Sequence, residues 1–373
     1  MKNANALIVA MFIIGISLPL AANIAGRDGA DAVAENRQPA RFPHFDGSWQ
    51  SAISFGNGLS SWFDDHFGFR ASLVRWYGES HLFGLHVSPT TAVVNGRDGW
   101  FFYADDEGLT DYIRDRPLTP AQLDAWRAST VDARDWLRSL GIAYVVLIAP
   151  DKYEIYPEEM PHSIHQVNAI SRTDQVFSAL KEAGVSAVDV RPALEAAKTQ
   201  DRLFHKTDTH WNDRGALIAY QQLINAVRDQ VPEVAAPLTI GDFTPRGFER
   251  SGMDLAGMMG LTRVLHETDL QLVPRRPRRA VVVDPAERKP DSAHGRIVTR
   301  IPESALPSAL IFRDSFFSRL APFVVEHFGR TTMLWQNDFA AEEVLTERPA
   351  IVIQEIVGRH LYTFEPSPEL VPR

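Results

Sequence analysis

The chain has 373 residues, of which 45% are hydrophobic and 23% are charged, and it contains no cysteine. This composition indicates a folded globular protein that is long enough to bury one large core or two smaller ones. The formal net charge of −9 excludes a general attraction to nucleic acid, and the lack of cysteine excludes disulfides, thiolate nucleophiles and cysteine-bound metals.

The N-terminus carries an almost uninterrupted apolar run over residues 6–22. As a helix this run reaches about 25 Å at about 1.5 Å per residue, which is close to the thickness of a bilayer core. We therefore predict that residues 1–26 form a signal anchor, a transmembrane helix that holds the rest of the chain in the periplasm at the inner membrane. A cleaved signal peptide is the alternative, although Pro19 and Leu20 stand where a cleavage site carries small residues.

Two further segments interrupt the regular pattern of the chain. Residues 27–60 are predicted to be a tether, because Ala, Asp, Pro and Gly occur in them without a clear hydrophobic period. Residues 61–373 are predicted to form the folded domain. Within it, residues 237–302 contain mixed turns and a basic run at 275–279, and are predicted to be an insertion or an extended crossover. The basic run either attracts a polyanionic polymer or is solvated surface.

Short apolar runs rich in β-branched residues alternate with amphipathic stretches along the domain. The runs lack polar alternation, which predicts strands that are buried on both faces. The predicted strands are residues 142–148, 185–190, 309–312, 331–335 and 350–354, and the predicted helices are residues 119–141, 173–183, 213–228 and 316–328. Thr119, Pro120 and Gln122 supply the capping box that starts the first helix. The alternation predicts an α/β fold with a doubly wound parallel sheet.

Ser315 stands between the predicted strand 309–312 and the predicted helix 316–328. In a parallel sheet this position lies at the carboxyl edge, where the turn exposes a hydroxyl and the first N–H groups of the helix can stabilise an oxyanion. Ser315 is therefore a candidate nucleophile. A serine that precedes a helix can instead act as a helix cap.

Asp208 and His210 are separated by one residue, before the predicted helix 213–228. Alternate residues of an extended segment point the same way, so Asp208 can orient the imidazole of His210, which can then deprotonate Ser315. These three residues are the predicted catalytic triad. A helix cap or a metal site is the alternative for the Asp-x-His pair, with His205 as the one nearby additional ligand. We predict neither a metal nor a cofactor.

Three more residues are predicted to bind substrate. Lys152 follows a strand and can bind an acidic sugar or polarise an acyl carbonyl. Arg313 lies beside Ser315 and can contact a sugar carboxylate, and Trp211 can stack on a sugar ring. Surface exposure, ion pairing and core packing are the respective alternatives. Glu355 and Arg359 are four residues apart and are predicted to form an ion pair within a helix.

Several segments together resemble the alginate O-acetyltransferases and related periplasmic polysaccharide acetyltransferases. Their order and spacing carry the resemblance, which covers about residues 63–361; the segments are Gly96-Arg97-Asp98-Gly99-Trp100-Phe101-Phe102-Tyr103, Ile148-Ala149-Pro150-Asp151-Lys152, Asp208-Thr209-His210-Trp211, Gly252-Met253-Asp254-Leu255-Ala256, Arg313-Asp314-Ser315-Phe316, and Pro349 to Arg359. The resemblance implies an SGNH-hydrolase-like domain in which Asp-x-His precedes the serine. Where typical SGNH enzymes carry glycine two residues before the serine, this chain has Arg313.

The resemblance implies an O-acetyltransferase that modifies hydroxyls of an exported, alginate-like polysaccharide through an acetyl-serine intermediate. It also implies a multipass membrane partner that supplies acetyl groups, because acetyl-CoA is not expected in the periplasm. With its predicted anchor, the chain resembles the membrane-tethered members that have no carbohydrate-binding module. A polysaccharide acetyl esterase would use the same residues with water as acceptor, and a polymer-binding or assembly subunit would keep the fold without catalysis.

Overall fold

The structure of the protein, a computed structural model, describes residues 2–24, 39–283 and 295–363. Parts of four predicted segments lie outside the described residues. They are residues 1 and 25–26 of the anchor, 27–38 of the tether, 284–294 of the insertion and 364–373 of the domain.

Helices and strands alternate over much of the described chain. The α-helices among the described residues are α1 (Lys2–Ile24), α2 (Trp49–His66), α3 (Arg70–Glu79), α4 (Gly108–Ile113), α5 (Pro120–Ser139), α6 (Lys152–Ile155), α7 (Arg172–Glu182), α8 (Arg191–Ala197), α9 (Asp213–Gln230), α10 (Asp254–Met258), α11 (Phe317–Val324) and α12 (Ala341–Glu347). The strands are β1 (Val93–Asn95), β2 (Phe101–Tyr103), β3 (Ala143–Ala149), β4 (Ala187–Asp189), β5 (Phe243–Ser251), β6 (His266–Pro274), β7 (Val281–Val282), β8 (Ile297–Arg300), β9 (Ser308–Arg313), β10 (Arg330–Trp335) and β11 (Ile351–Val357). Short 3-10 turns cover Pro157–Glu159, Ile240–Asp242, Val325–His327 and Gly358–Leu361, and a π-helical turn covers Ser80–Leu85.

A seven-stranded sheet organises the described residues, in the order β4-β3-β11-β9-β10-β8-β7. The first five strands in this order, β4, β3, β11, β9 and β10, pair in parallel. Strand β8 pairs antiparallel with both β10 and β7. Helices α11 and α12 connect successive parallel strands, as parallel pairing requires. The predicted α/β fold with a parallel sheet is confirmed, and the predicted insertion supplies the antiparallel edge.

Strand β3 shows why the sheet is buried on both faces. Its alternate side chains point to opposite sides. Val146 and Ile148 share one hydrophobic core with Leu137 of α5 and Leu180 of α7. Leu147 points to the opposite face and is also fully buried. Because neither face of β3 meets water, its sequence is a continuous apolar run, which is how the strand could be recognised.

The N-terminal segment forms a helix, α1 (Lys2–Ile24), as predicted. In the part of the chain that the structure describes, no helix is both long enough and apolar enough to cross a membrane. The structure therefore does not confirm the transmembrane anchor predicted for residues 1–26.

The chain divides into two compact units. One consists of Met1–Asn95 with Arg250–Glu267, and the other of Gly96–Glu249 with Thr268–Arg373. The seven-stranded sheet lies in the second unit. The boundary at Asn95 falls inside the domain predicted for residues 61–373, and α2 begins inside the predicted tether.

A buried tyrosine–histidine pair fixes the C-terminal end of α11. The hydroxyl of Tyr220 accepts a hydrogen bond from the N–H of Leu238 at 2.8 Å and lies 2.5 Å from Nε2 of His327. The hydroxyl proton is thus available to His327, which accepts it in the neutral state. Burial lowers the pKa of His327 to about 4, and the charge of Arg279 acts in the same direction.

We expect His327 to make the protein sensitive to acid. The unfolded chain takes up a proton near the usual pKa of 6.5, whereas the folded chain does so only near 4. Stability is therefore complete above pH 6.5 and decreases as the pH falls towards 4, by up to about 3 kcal/mol. His327→Gln should flatten this dependence in urea unfolding curves recorded across that range. The exposed His162 provides the control, since His162→Gln should leave the slope unchanged; an unchanged slope in His327→Gln would contradict the assignment.

Candidate active site

Ser315 lies in the turn between β9 and α11, at the carboxyl edge of the sheet. The neighbouring carboxylate of Asp314 fastens this turn, because it accepts the N–H of Phe316 at 2.8 Å and the N–H of Val357, in β11, at 2.7 Å. The side chain of Ser315 is half-buried and does not cap the helix. Its hydroxyl instead lies 2.8 Å from Nε2 of His210.

His210 connects Ser315 to Asp208 through its two ring nitrogens. Nδ1 lies 2.6 Å from Oδ1 of Asp208, and the same oxygen accepts the backbone N–H of His210 at 3.1 Å. A proton on Nδ1, donated to the carboxylate, leaves Nε2 as the acceptor for the hydroxyl of Ser315. The three predicted residues are thus joined in one chain of hydrogen bonds. A metal ion on His210 would have to displace one of these bonds.

The carboxylate of Asp208 stays ionised although it is buried. Burial acts to raise its pKa, but the hydrogen bond from His210 and the charges of His210 and His205 lower the pKa well below the usual value. A buried anion beside an imidazole favours the protonated form of that ring. Asp208 can therefore both orient His210 and stabilise it when it holds a proton.

Lys152 is predicted to bind substrate, but the structure gives it another position. The side chain is buried, and Nζ donates to the carbonyl oxygens of His205 at 2.9 Å, Lys206 at 3.1 Å and Asp208 at 2.7 Å. Its ammonium also lies 5.3 Å from the ring centre of Phe102. Lys152 thus ties the end of β3 to the loop that carries Asp208, and the substrate-binding prediction is corrected to a positioning role.

Trp211 is also part of the framework. Its side chain is fully buried, its indole N–H donates to the carbonyl oxygen of Phe316 at 3.1 Å, and its ring packs edge-on against the ring of Phe316. A ring without exposed area has no face for a sugar. Trp211 instead joins the histidine loop to the serine loop, because it follows His210 and contacts the residue after Ser315.

Arg313 is the third predicted substrate residue that the structure places in the interior. Its Nη1 donates to the carbonyl oxygen of Asp314 at 3.1 Å and to the hydroxyl of Ser318 at 2.9 Å. Its guanidinium lies over the ring of Trp335, 4.4 Å from the centre. These contacts hold both sides of the turn that carries Ser315, so Arg313 supports the turn from within and does not extend towards solvent.

Two buried acids at the same edge were not recognised as site residues from the sequence. Asp151, after β3, pairs with Nη1 of Arg359 at 2.5 Å and accepts the N–H of Arg359 at 2.9 Å. Glu355, in β11, accepts the N–H of Asp314 at 2.9 Å. Burial and the charge of Asp314 raise the pKa of Glu355 well above its usual value.

The predicted helical ion pair between Glu355 and Arg359 is therefore wrong. Strand β11 continues through both Glu355 and Val357, and Arg359 lies in the 3-10 turn that follows. The partner of Arg359 is Asp151, on a neighbouring strand end. The sequence did contain a signal for this pair. Asp151 follows β3 and Arg359 follows β11, and polar residues that follow adjacent parallel strands meet at one edge of the sheet.

The family model described as "SGNH hydrolase-like domain, acetyltransferase AlgX" matches residues 93–292. The matched range includes Asp208 and His210 and ends before Ser315. A probable alginate O-acetylase AlgJ of Pseudomonas syringae is 33% identical over 160 residues, which cover 42% of this chain and 38% of that protein. The AlgJ protein of Pseudomonas putida is 34% identical over 152 residues, which cover 40% of this chain and 37% of that protein. The match thus spans under two fifths of the length of these relatives.

A solved structure shares the fold. The structure of Bacillus cereus PatB1 with a sulfonyl adduct covers 75% of this chain and 100% of that chain, with a TM-score of 0.54 and 13% sequence identity. At this level of identity the likeness concerns the arrangement of the backbone.

Replacing Lys152 tests its positioning role. Lys152→Met removes the ammonium that three carbonyl groups share, so we expect the free energy of unfolding to fall by about 3 kcal/mol. Hydrogen exchange of the amide of His205, which donates to the carbonyl of His210 at 3.2 Å, should accelerate. The exposed Lys181 gives the control variant Lys181→Met, for which neither quantity should change. Unaltered protection of His205 in Lys152→Met would show that the lysine does not hold the loop.

Proposed function

The chain belongs to the family of SGNH hydrolase-like domains described as acetyltransferase AlgX, and from this membership we propose that it is an O-acetyltransferase acting on hydroxyl groups of an alginate-like polysaccharide. The observation that carries the proposal is the continuous hydrogen-bonded chain from Asp208 through His210 to Ser315. The names of the AlgJ relatives support alginate as the type of acceptor.

The first step forms an acetyl-serine. His210 takes the hydroxyl proton of Ser315 on Nε2 while Oγ attacks the carbonyl carbon of an acetyl donor. The bond from that carbon to the leaving group breaks, and the leaving group takes the proton back from His210. Asp208 stabilises the imidazolium in between, which its buried negative charge makes possible.

The developing oxyanion needs a donor near Ser315. The N–H of Phe316 is already bound to Asp314. Within the described ranges no acceptor engages the N–H of Ser315 itself, and we assign that group as one oxyanion donor. Because Asp314 is itself fixed by the N–H of Val357, this donor is held in place before the reaction.

In the second step a sugar hydroxyl accepts the acetyl group. His210 removes the proton of the hydroxyl, the sugar oxygen attacks the acetyl carbonyl, and Ser315 leaves with the proton. An esterase differs only in the molecule that attacks. Family membership favours transfer to a sugar.

The proposal includes a place and a source of acetyl groups. We place the reaction in the periplasm, because the N-terminal apolar run predicts export. A multipass membrane acyltransferase is the proposed supplier of acetyl groups, since acetyl-CoA is not expected in that compartment. Anchoring to the inner membrane through residues 6–22 stays a prediction from the sequence.

Substitution of the triad tests the mechanism. The full-length protein is incubated with para-nitrophenyl acetate and unacetylated alginate oligosaccharides, and acetylated sugar is measured by mass spectrometry. Ser315→Ala should abolish transfer, and Asp208→Asn should reduce the rate by roughly 10³–10⁴-fold, because the wrong tautomer of His210 is then favoured.

The exposed Ser178 supplies the control, and Ser178→Ala should transfer acetyl groups at the rate of the unaltered protein. If the unaltered protein released free acetate and formed no acetylated sugar, the protein would be an esterase. Full transfer by Ser315→Ala would remove the serine from the mechanism.

A further inference from the structure

Four arginines lie together on the second compact unit, away from the triad. They come from the run Arg275-Arg276-Pro277-Arg278-Arg279, which directly follows β6, and all four are exposed. With segments 235–243 and 322–327 they line a groove of about 600 Å³. Ser315 precedes α11, and residues 322–327 form the end of α11 and the 3-10 turn after it. At about 1.5 Å per residue, the groove therefore lies roughly 10–18 Å from the nucleophile along this helix.

The two outer arginines fasten the run to the domain. The N–H of Arg275 donates to the carbonyl of Asp242 at 2.9 Å, and its Nε donates to the carbonyl of Phe243 at 3.1 Å. At the other end, the N–H of Arg279 donates to the carboxylate of Glu326 at 3.0 Å, and Nη2 donates to the carbonyl of Glu326 at 2.7 Å. The run is thus an ordered segment with both ends held.

The two inner arginines carry charge that the fold does not use. Within the described residues, the side chains of Arg276 and Arg278 make no hydrogen bond or ion pair, and Arg276 interacts with Asp242 only through its charge. Pro277 stands between them and fixes its own φ angle, which restricts the local backbone. The carboxylates that line the groove are those of Asp242 and Glu326, so four guanidinium groups outnumber them.

The floor of the groove is apolar. Phe243 and Phe323 are buried beneath it, and their rings meet edge-on at 5.4 Å between centres. His327 is buried in the wall and is held by Tyr220. A ligand therefore meets a preformed surface whose exposed polar groups are chiefly cations.

The whole chain has a formal charge of −9, so a polymer with many carboxylates is repelled by most of its surface. A local cluster of arginines attracts such a polymer instead. A guanidinium group can also bind a carboxylate through two parallel hydrogen bonds. We propose that this groove is a second, non-catalytic binding site that takes the carboxylates of a uronic-acid segment of the polysaccharide. The identity of the polymer rests on the proposed function. Binding here would hold the chain close to Ser315 while individual sugars enter and leave the active site.

The test compares two double variants with the same loss of charge. Arg276→Gln with Arg278→Gln removes the inner arginines, and Arg127→Gln with Arg138→Gln removes two exposed arginines of α5. Affinity of the full-length proteins for unacetylated alginate oligosaccharides is measured by calorimetry at low salt, with neutral dextran oligosaccharides of equal length as the reference ligand. We expect about tenfold weaker alginate binding for the first pair, because exposed charge contacts are individually weak and two are lost.

The same proteins are assayed for hydrolysis of para-nitrophenyl acetate, which needs Ser315 and does not need the groove. We expect all the arginine variants to keep the activity of the unaltered protein. Three results would contradict the proposed site. The unaltered protein could fail to bind alginate, the Arg276→Gln, Arg278→Gln variant could bind it as well as the unaltered protein, or the Arg127→Gln, Arg138→Gln variant could lose as much affinity. Hydrolysis retained by Ser315→Ala would instead overturn the proposed function, so the two failures are distinguishable.

Discussion

The carboxylate of Asp314 is the constraint on which the candidate active site depends. A serine between a buried strand and a helix would ordinarily cap that helix, and its hydroxyl would then be occupied. Here the carboxylate of Asp314 binds the N–H of Phe316 within the turn and the N–H of Val357 on the neighbouring strand. The hydroxyl of Ser315 is left for His210, and the turn is fastened to the sheet. Asp314 thus holds the turn, while the hydroxyl of Ser315 stays available for the reaction.

Buried charges behind the edge hold the loops of the triad together. Lys152 binds the loop of Asp208 through three carbonyl groups, and Arg359 binds Asp151 at the end of β3. Buried charges destabilise a protein unless they are paired and hydrogen-bonded. Each of these contacts is therefore costly to break, and it holds its loop in one position. The groove that we propose for the polymer lies at the other end of α11.

The sequence predicted the parts that follow from local patterns. Strands β3, β9 and β10 were recognisable as apolar runs because both of their faces are buried, and the Asp-x-His pair and Ser315 stand at strand and loop ends. The orientation of Lys152 was not predictable, since three-dimensional packing decides whether a charged side chain turns inward. Strand β11 was predicted to end at Gln354 because Glu355 interrupts its apolar run, although Glu355 is buried within the strand.

Labelling with phenylmethylsulfonyl fluoride tests the central claim most directly, because this reagent reacts with a serine that a neighbouring base has activated. The full-length protein is treated with the reagent, digested, and mapped by mass spectrometry. We predict a sulfonyl group on Ser315 and no labelling of Ser315 in the His210→Ala variant. An unmodified Ser315, or equal labelling in the absence of His210, would contradict the account.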